Sequence, residues 1–362
     1  MADKKCRTRL LAWAGAALAL TAALAAAGCT STPAAGGGAQ AGSTTTDMTA
    51  AQASQVFAAY VAVAGHAAST GDATLALSDV TGVQKTAITT QLKAAKSGAG
   101  ALASYRYGTP AFYLVRQHGY PRWFVASVRR TLVGGGGTPG GAGWLSLAPS
   151  GQVLMVFQQS SATSPWLLSS TSQLPAGVSV PPLATDSSGY VATVPLDSGA
   201  QLARPDTTAP LQAAVVDDGP ASPAAKVVAA GNLTTGLYTA ARAAQTAPPG
   251  DIYQWELEGT HYASFALRTA DGGALVFYAM YLNSTVQVPA VLNKGVVKAG
   301  PPITVPGYLH FLLAPRPTPP RVQVEAQQLL SFAAVDPPGG GPAASKIQVI
   351  GIGGGLIYAS AS

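Results

Sequence analysis

Residues 105–132 read YRYGTPAFYLVRQHGYPRWFVASVRRTL, and this stretch decides the fold class of the chain. Large apolar and aromatic side chains alternate with polar ones in two runs, 105–116 and 122–132. That alternation is typical of strands with one face buried. Glycine and proline lie between the runs and indicate a turn. A further run, 153–159, has the same character, as does 143–147. We therefore predict a series of antiparallel strands here.

Helices are predicted ahead of these strands. Val56, Phe57, Tyr60, Val61 and Ala64 recur at three- and four-residue spacing, which predicts a helix that begins near Thr49 and ends near Gly71. A second helix is predicted over 83–95.

The second half of the chain repeats this order. Helices are predicted over 210–217 and 233–244, followed by strands over 252–268, 273–286, 305–313, 321–334 and 347–360. Between the halves, 163–182 is rich in Ser and Pro and indicates a break, with Trp166 packing on the first half. Helices followed by antiparallel strands predict an α+β fold in two tandem domains, 48–182 and 183–362.

Two motifs, YRYGTP at 105–110 and YPRWF at 120–124, together with this order of elements, resemble the NTF2-like family. In that family a strongly curved sheet closes around three helices and leaves an internal pocket. The resemblance implies two tandem NTF2-like domains, which are known in actinobacterial lipoproteins. The family includes enzymes, transport adaptors and binding modules, so the fold implies no particular activity.

The N-terminus has the form of a secretory signal. Four basic residues lie within 1–9, and residues 10–27 carry no charge. The following Ala26-Ala27-Gly28-Cys29 resembles the lipobox of bacterial lipoproteins, with alanine where that family has leucine. The resemblance implies removal of 1–28, acylation of Cys29 with palmitate and attachment to the cell membrane on its extracytoplasmic face. An uncleaved anchor and ordinary signal cleavage are the alternatives, because eighteen apolar residues are at the short end of a membrane span.

Residues 30–46 contain neither charge nor a large apolar side chain, so 29–47 is predicted to be a disordered tether. Without 1–28 the net charge falls from +6 to +3, which argues against nucleic acid as a partner. An acylated Cys29 leaves no free thiol. The four histidines are at least 49 residues apart in sequence. We therefore expect no metal site and no cofactor.

The stretch 253–261, YQWELEGTH, offers one arrangement for catalysis. On a strand, Glu256 and Glu258 share a face, and two adjacent carboxylates raise the pKa of one of them, as a general acid or base requires. His261 completes the hypothesis of a carboxylate-based enzyme. The alternative, which we favour, is an exposed polar face with Tyr253, Trp255 and Leu257 packed inward.

Arg106 is a candidate for binding an anion in the cavity of the first domain, but we favour an ion pair with a surface carboxylate or stacking on a neighbouring ring. Trp255 is a second candidate for ligand contact. The scarcity of charged residues favours a non-enzymatic envelope protein that binds a small apolar ligand or another envelope protein. The alternative is the enzyme built on Glu256, Glu258 and His261.

Overall fold

Three helices open the part of the chain that the computed structural model describes, namely residues 47–135, 150–245, 252–288, 291–293, 296–298, 300–313, 318–341 and 345–362. They are α1 (Ala50–Thr70), α2 (Ala73–Ser78) and α3 (Gly82–Lys96). The signal sequence, Cys29 and all of the predicted tether except Asp47 lie outside the described residues, as does the predicted strand over 143–147.

The first helix begins and ends where the sequence predicts. Thr49 Oγ1 accepts a hydrogen bond from the Gln52 backbone N–H at 3.2 Å, and Gln52 Oε1 accepts one from the Thr49 N–H at 2.8 Å. This capping box satisfies two backbone donors at the helix start. Gly71 ends the helix in the left-handed conformation, with φ 71°.

Five strands follow in the first half: β1 (Ser104–Tyr107), β2 (Ala111–Leu114), β3 (Arg122–Gly134), β4 (Gly151–Gln159) and β5 (Leu167–Gln173). The predicted strand over 105–116 is thus divided in two. Gly108 and Pro110 lie in the interruption between β1 and β2.

The second half contains α4 (Thr208–Asp218), α5 (Thr235–Gln245), β6 (Ile252–Gly259), β7 (Phe265–Arg268), β8 (Ala274–Gln287), β9 (Val291–Asn293), β10 (Val296–Lys298), β11 (Gln323–Asp336) and β12 (Gln348–Ala361). The strand predicted over 305–313 is wrong. Pro306 caps a short 3-10 helix, Gly307–Leu309, at this place, because proline lacks the N–H that a sheet ladder needs.

One antiparallel sheet runs through both halves, in the order β1-β3-β4-β5-β12-β11-β8-β6, with β2 added on β3 and β7 added on β8. The α+β class is therefore confirmed. The halves meet where β5 pairs with β12, through Gln173 and Ile352. Thr45–Ser362 forms one compact unit. Division at 182/183 into two NTF2-like domains remains a prediction, and the sheet crosses that boundary without interruption.

The contact between β5 and β12 depends on a glycine. A Cβ atom added to Gly353 would lie 1.7 Å from the carbonyl oxygen of Thr171 in β5. That oxygen also accepts a hydrogen bond from Ser331 Oγ of β11 at 2.6 Å. The missing side chain at 353 is thus what allows three strands to come together at this point.

Helices cover the sheet in two groups. Phe57 and Tyr60 of α1 pack with Phe124 of β3 and Phe157 of β4. Trp166 packs edge-on against Phe124, with ring centroids 5.2 Å apart, so its predicted contact with the first half is confirmed. A second core cluster joins α4 and α5 to β8 and β11.

Candidate functional site

A cavity of about 160 Å³ lies between the first three helices and the sheet. Its helical wall is mainly apolar. Small and branched side chains of the three helices form this wall, together with Val80 from the link between α2 and α3: Val61, Ala64, Ala67, Leu75, Ala87 and Ile88. Small residues on α1 and α3 leave space between these helices and the strands behind them.

The sheet wall of the cavity is mainly polar. Its residues come from four strands: Tyr105 and Tyr107 of β1, Arg130 and Leu132 of β3, Thr171 and Gln173 of β5, and Gly353 and Gly354 of β12. Strands from both halves of the chain therefore line one cavity, because the sheet is continuous at the pairing of β5 with β12.

Arg130 is the positively charged residue of this wall. Its Nη2 donates a hydrogen bond to Gln173 Oε1 at 3.2 Å, and its Cζ lies 4.3 Å from the centre of the Tyr105 ring. Its Nε is buried and has no hydrogen-bond partner among the described residues. Such an unpaired buried donor costs about 1–3 kcal/mol.

Glycine again makes the local arrangement possible. Gly151 of β4 pairs with Arg130 in the sheet, and a Cβ atom there would lie 3.1 Å from Gln173 Nε2. The absent side chain gives the Gln173 amide room to reach the guanidinium. The Gln173 side chain is buried and also donates to the Ser150 carbonyl oxygen at 3.4 Å.

Two tyrosines, Tyr60 and Tyr107, line the cavity where α1 faces β1. Burial raises the pKa of Tyr60 and of Tyr107, and the nearby positive charge of Arg130 partly opposes both increases. Both hydroxyls are therefore neutral at physiological pH. A neutral hydroxyl can donate a hydrogen bond to an acceptor on a ligand.

Asp79 is the acidic residue of the cavity lining that the structure describes. Burial raises its pKa, while a hydrogen bond from Ser78 opposes the increase. Within the described lining, then, the ionisable groups are one carboxyl, one guanidinium and three tyrosines. A cavity with one apolar wall, one polar wall and few ionisable groups is suited to holding a small molecule.

A sequence profile for a domain of unknown function, DUF8094, matches residues 45–361. The chain belongs to the DUF8094 family. An uncharacterised lipoprotein of Streptomyces avermitilis is 28% identical over 214 residues, which are 58% of this chain and 57% of that protein. An uncharacterised lipoprotein of Streptomyces coelicolor is 30% identical over 170 residues, 46% of this chain and 45% of that protein. The chain thus spans about half the length of these curated relatives. No solved structure matches.

Arg106, the candidate anion ligand, does not line the cavity of the DUF8094 domain. Successive side chains of a strand point to opposite faces, so Tyr105 and Tyr107 face the cavity while Arg106 is exposed on the other side. The guanidinium in the cavity comes from the neighbouring strand, where Arg130 pairs with Tyr107.

Sequence reasoning missed Arg130, although β3 contains a signal for it. Phe124, Ala126 and Val128 form the face of this strand that packs on the helices, and Arg130 continues the same alternation. A cation at the end of an otherwise apolar face that points toward helices indicates a lining residue.

The faces of β6 are as predicted. Glu256 and Glu258 are exposed, Leu257 is buried and Trp255 is half-buried on the opposite face. Asn283 Nδ2 donates to Glu258 Oε2 at 2.8 Å. His261 is exposed and packs on the Tyr262 ring at 4.4 Å. No hydrogen bond or ion pair between described residues joins His261 to either glutamate.

The structure brings a different carboxyl to these glutamates. Asp217 of α4 accepts a hydrogen bond from the Leu257 N–H at 3.1 Å. Burial raises the pKa of Asp217 to about 6, and the negative charges of Glu256, Asp218 and Glu258 contribute to the increase. This contact has no local signature in the sequence, because α4 and β6 are separated by more than 30 residues.

Among the residues that the structure describes, no three His, Cys, Asp or Glu side chains are grouped so that they could hold a metal ion. None of the helices there has the length and apolar character that crossing a bilayer requires.

Proposed function

We propose that this chain is a membrane-anchored envelope lipoprotein whose DUF8094 domain binds a small, mainly apolar ligand. The cavity between α1–α3 and the sheet carries the proposal, because it combines an apolar helical wall with a few convergent polar groups.

The size of the cavity limits the ligand. In another protein, an engineered apolar cavity of about 150 Å³ binds benzene. The cavity described here, about 160 Å³, accommodates a group of the same size. We therefore propose that the buried part of the ligand is a single ring or a short branched chain.

The anchor proposal rests on two supports. Ala26-Ala27-Gly28-Cys29 has the form of a lipid attachment site, and both Streptomyces relatives carry the name lipoprotein. Metabolic labelling with a fatty acid analogue tests it, with labelling expected for the wild type and absent in Cys29→Ala. Equal labelling of the variant would contradict the proposal.

Binding is tested with a substitution that fills the cavity. Ala64→Leu adds three carbon atoms to the helical wall, while Ala58→Leu adds the same atoms on the exposed side of α1. The full chain is titrated calorimetrically with toluene and benzyl alcohol. We expect binding to the wild type and to Ala58→Leu, and loss of binding in Ala64→Leu.

Thermal unfolding of both variants shows whether they are folded. A folded Ala64→Leu protein that binds as the wild type does would place the ligand elsewhere. Absence of binding to the wild type would contradict the size argument.

The second proposal is the carboxylate-based enzyme around Glu256, Glu258 and His261. The raised pKa of Asp217 beside these glutamates is the observation that favours it. An activity screen tests it, with any activity expected to be lost in both Glu256→Gln and Asp217→Asn. An activity that both variants retain would remove this proposal.

A further inference from the structure

We infer that the ligand of the cavity is a compact monocarboxylate, with its carboxylate bound by Arg130 and its apolar part against the helices. This inference rests on the proposed function and specifies the chemical class of its ligand.

Arg130 has hydrogen-bond donors that the described residues leave unused. A guanidinium has five N–H donors in a planar fork that matches a carboxylate. Among the described residues the protein supplies one acceptor, Gln173 Oε1, and leaves Nε buried without a partner. Buried donors in folded proteins are nearly always paired, so this one indicates a missing acceptor.

The positive charge of Arg130 has no counterion among the described residues. The ion pairs between described residues involve Arg116 and Arg204, and none involves Arg130. Its contacts are the Gln173 amide and the face of the Tyr105 ring, both of which are neutral. A partly buried cation without a counterion favours an anionic ligand.

A second donor is available to the same ligand. The hydroxyls of Tyr60 and Tyr107 belong to the same cavity lining as Arg130. Burial raises the pKa of both, so they stay neutral and can donate. A carboxylate has two oxygens, so it can accept from the guanidinium and from a tyrosine hydroxyl.

Asp79 restricts the charge of the ligand. This carboxyl lines the same cavity as Arg130. A dianion such as a phosphate monoester would bring two negative charges to one guanidinium in the presence of an acidic neighbour. A single negative charge is matched by Arg130 alone, and the apolar remainder of the ligand is matched by Val61, Ala87 and Ile88.

Calorimetric titration of the full chain tests the inference. The probes are benzoate and cyclohexanecarboxylate, each compared with its neutral amide of equal size. A hydrogen bond to a charged group accounts for a difference of roughly tenfold to a hundredfold in affinity. We expect the carboxylates to bind more tightly than the amides by that factor.

Three variants assign the difference to Arg130. Arg130→Met keeps an apolar chain against Tyr105 and removes the charge, so the preference for carboxylates should disappear. Arg130→Lys keeps the charge but lacks the planar fork, so this variant should retain part of the preference for carboxylates. Arg129→Met removes an equal charge from an exposed position on the opposite face of β3. This variant should retain the full preference for carboxylates.

The outcomes separate this inference from the proposed function. Equal affinity for acids and amides in the wild type would overturn the inference and leave the proposed ligand cavity intact. Equal weakening by Arg129→Met and Arg130→Met would also overturn it, since the attraction would then be long-range. Absence of binding by either class up to about 10 mM would overturn both. If Arg130→Met does not fold, Arg130→Lys and the acid–amide comparison in the wild type still decide.

Discussion

Replacement of Gly353 by alanine is the sharpest perturbation of the fold. The added Cβ would lie 1.7 Å from the Thr171 carbonyl oxygen and 2.9 Å from Ser331 Oγ. Real Cβ atoms essentially never approach another heavy atom closer than 3.0 Å. The nearest atom is backbone, so a side-chain rotation cannot relieve the clash, and β12 must move away from β5.

The expected loss follows from two terms. Overpacking of a well-packed site costs about 1–3 kcal/mol. Separation of the strands also breaks the 2.6 Å hydrogen bond from Ser331 Oγ to the Thr171 oxygen, which contributes about 1 kcal/mol. We therefore expect Gly353→Ala to lower the free energy of unfolding by roughly 2–4 kcal/mol.

Urea denaturation followed by tryptophan fluorescence measures this loss. Gly355→Ala is the matched control, because it lies on the same strand, and a Cβ there has no atom within 4 Å. The control should change the free energy of unfolding by at most about 1 kcal/mol, in the stabilising direction. If both variants unfold with the same free energy, the close approach of β5 and β12 is wrong, and so is the sheet shared by the two halves.

Three further predictions concern separate features. Thr49→Ala removes the side-chain acceptor of the capping box and should lower the free energy of unfolding, measured by urea denaturation, by about 1 kcal/mol. An unchanged free energy of unfolding would contradict a role for this cap. Gly65 lies inside α1 with no atom within 4 Å of an added Cβ, so Gly65→Ala should stabilise by about 0.5–1 kcal/mol, and a loss of stability would show a missed contact. Asp336 is buried, and burial raises its pKa to about 7 although the Ala203 and Leu202 N–H groups oppose the increase. Its folded-state pKa lies above the unfolded value of about 3.9, so its favourable contribution is complete below about pH 4 and is lost as the pH rises through about 7. The Tm of Asp336→Asn minus the Tm of the wild type, measured by calorimetry, should therefore be larger at about pH 8 than at about pH 5. The same difference in Tm at both pH values would refute the raised pKa.

Local signals predicted most of the helices and strands well. The cap at Thr49, the stop at Gly71 and the apolar spacing between them are all short-range features, and each determines the backbone near it. The long strands β3, β8 and β11 were predicted within a few residues for the same reason, since alternation is visible within a single segment.

The fifth strand is not evident from the sequence because most of its buried residues are polar. LLSSTSQ lies in a Ser- and Pro-rich stretch that indicates a break, yet Ser169, Thr171, Ser172 and Gln173 are buried as well as Leu168. Their polar groups are accommodated by partners far along the chain, such as Gln84 for Thr171. Pairing over such distances has no local signature. Because β5 is not evident from the sequence, the junction of the two halves, where β5 pairs with β12, is not evident either.

The resemblance predicts the cavity in outline, but the sequence does not indicate which arginine lines it. Arg106 lies between two tyrosines and is therefore a candidate, whereas alternation puts it on the face away from them. Arg130 reaches the cavity because β1 and β3 pair with Tyr107 opposite it. The register between β1 and β3 determines which arginine side chain lines the cavity, and a single sequence does not specify that register.

We propose that the cavity between α1–α3 and the sheet is a ligand site with Arg130 as its anion-binding group. Anomalous diffraction tests this directly, with crystals of the protein soaked in 4-bromobenzoate and data collected at the bromine absorption edge. We expect an anomalous peak against Ala64 and Ile88, with the carboxylate within hydrogen-bonding distance of Arg130. Bromine peaks confined to the protein surface, with an unchanged cavity, would contradict it.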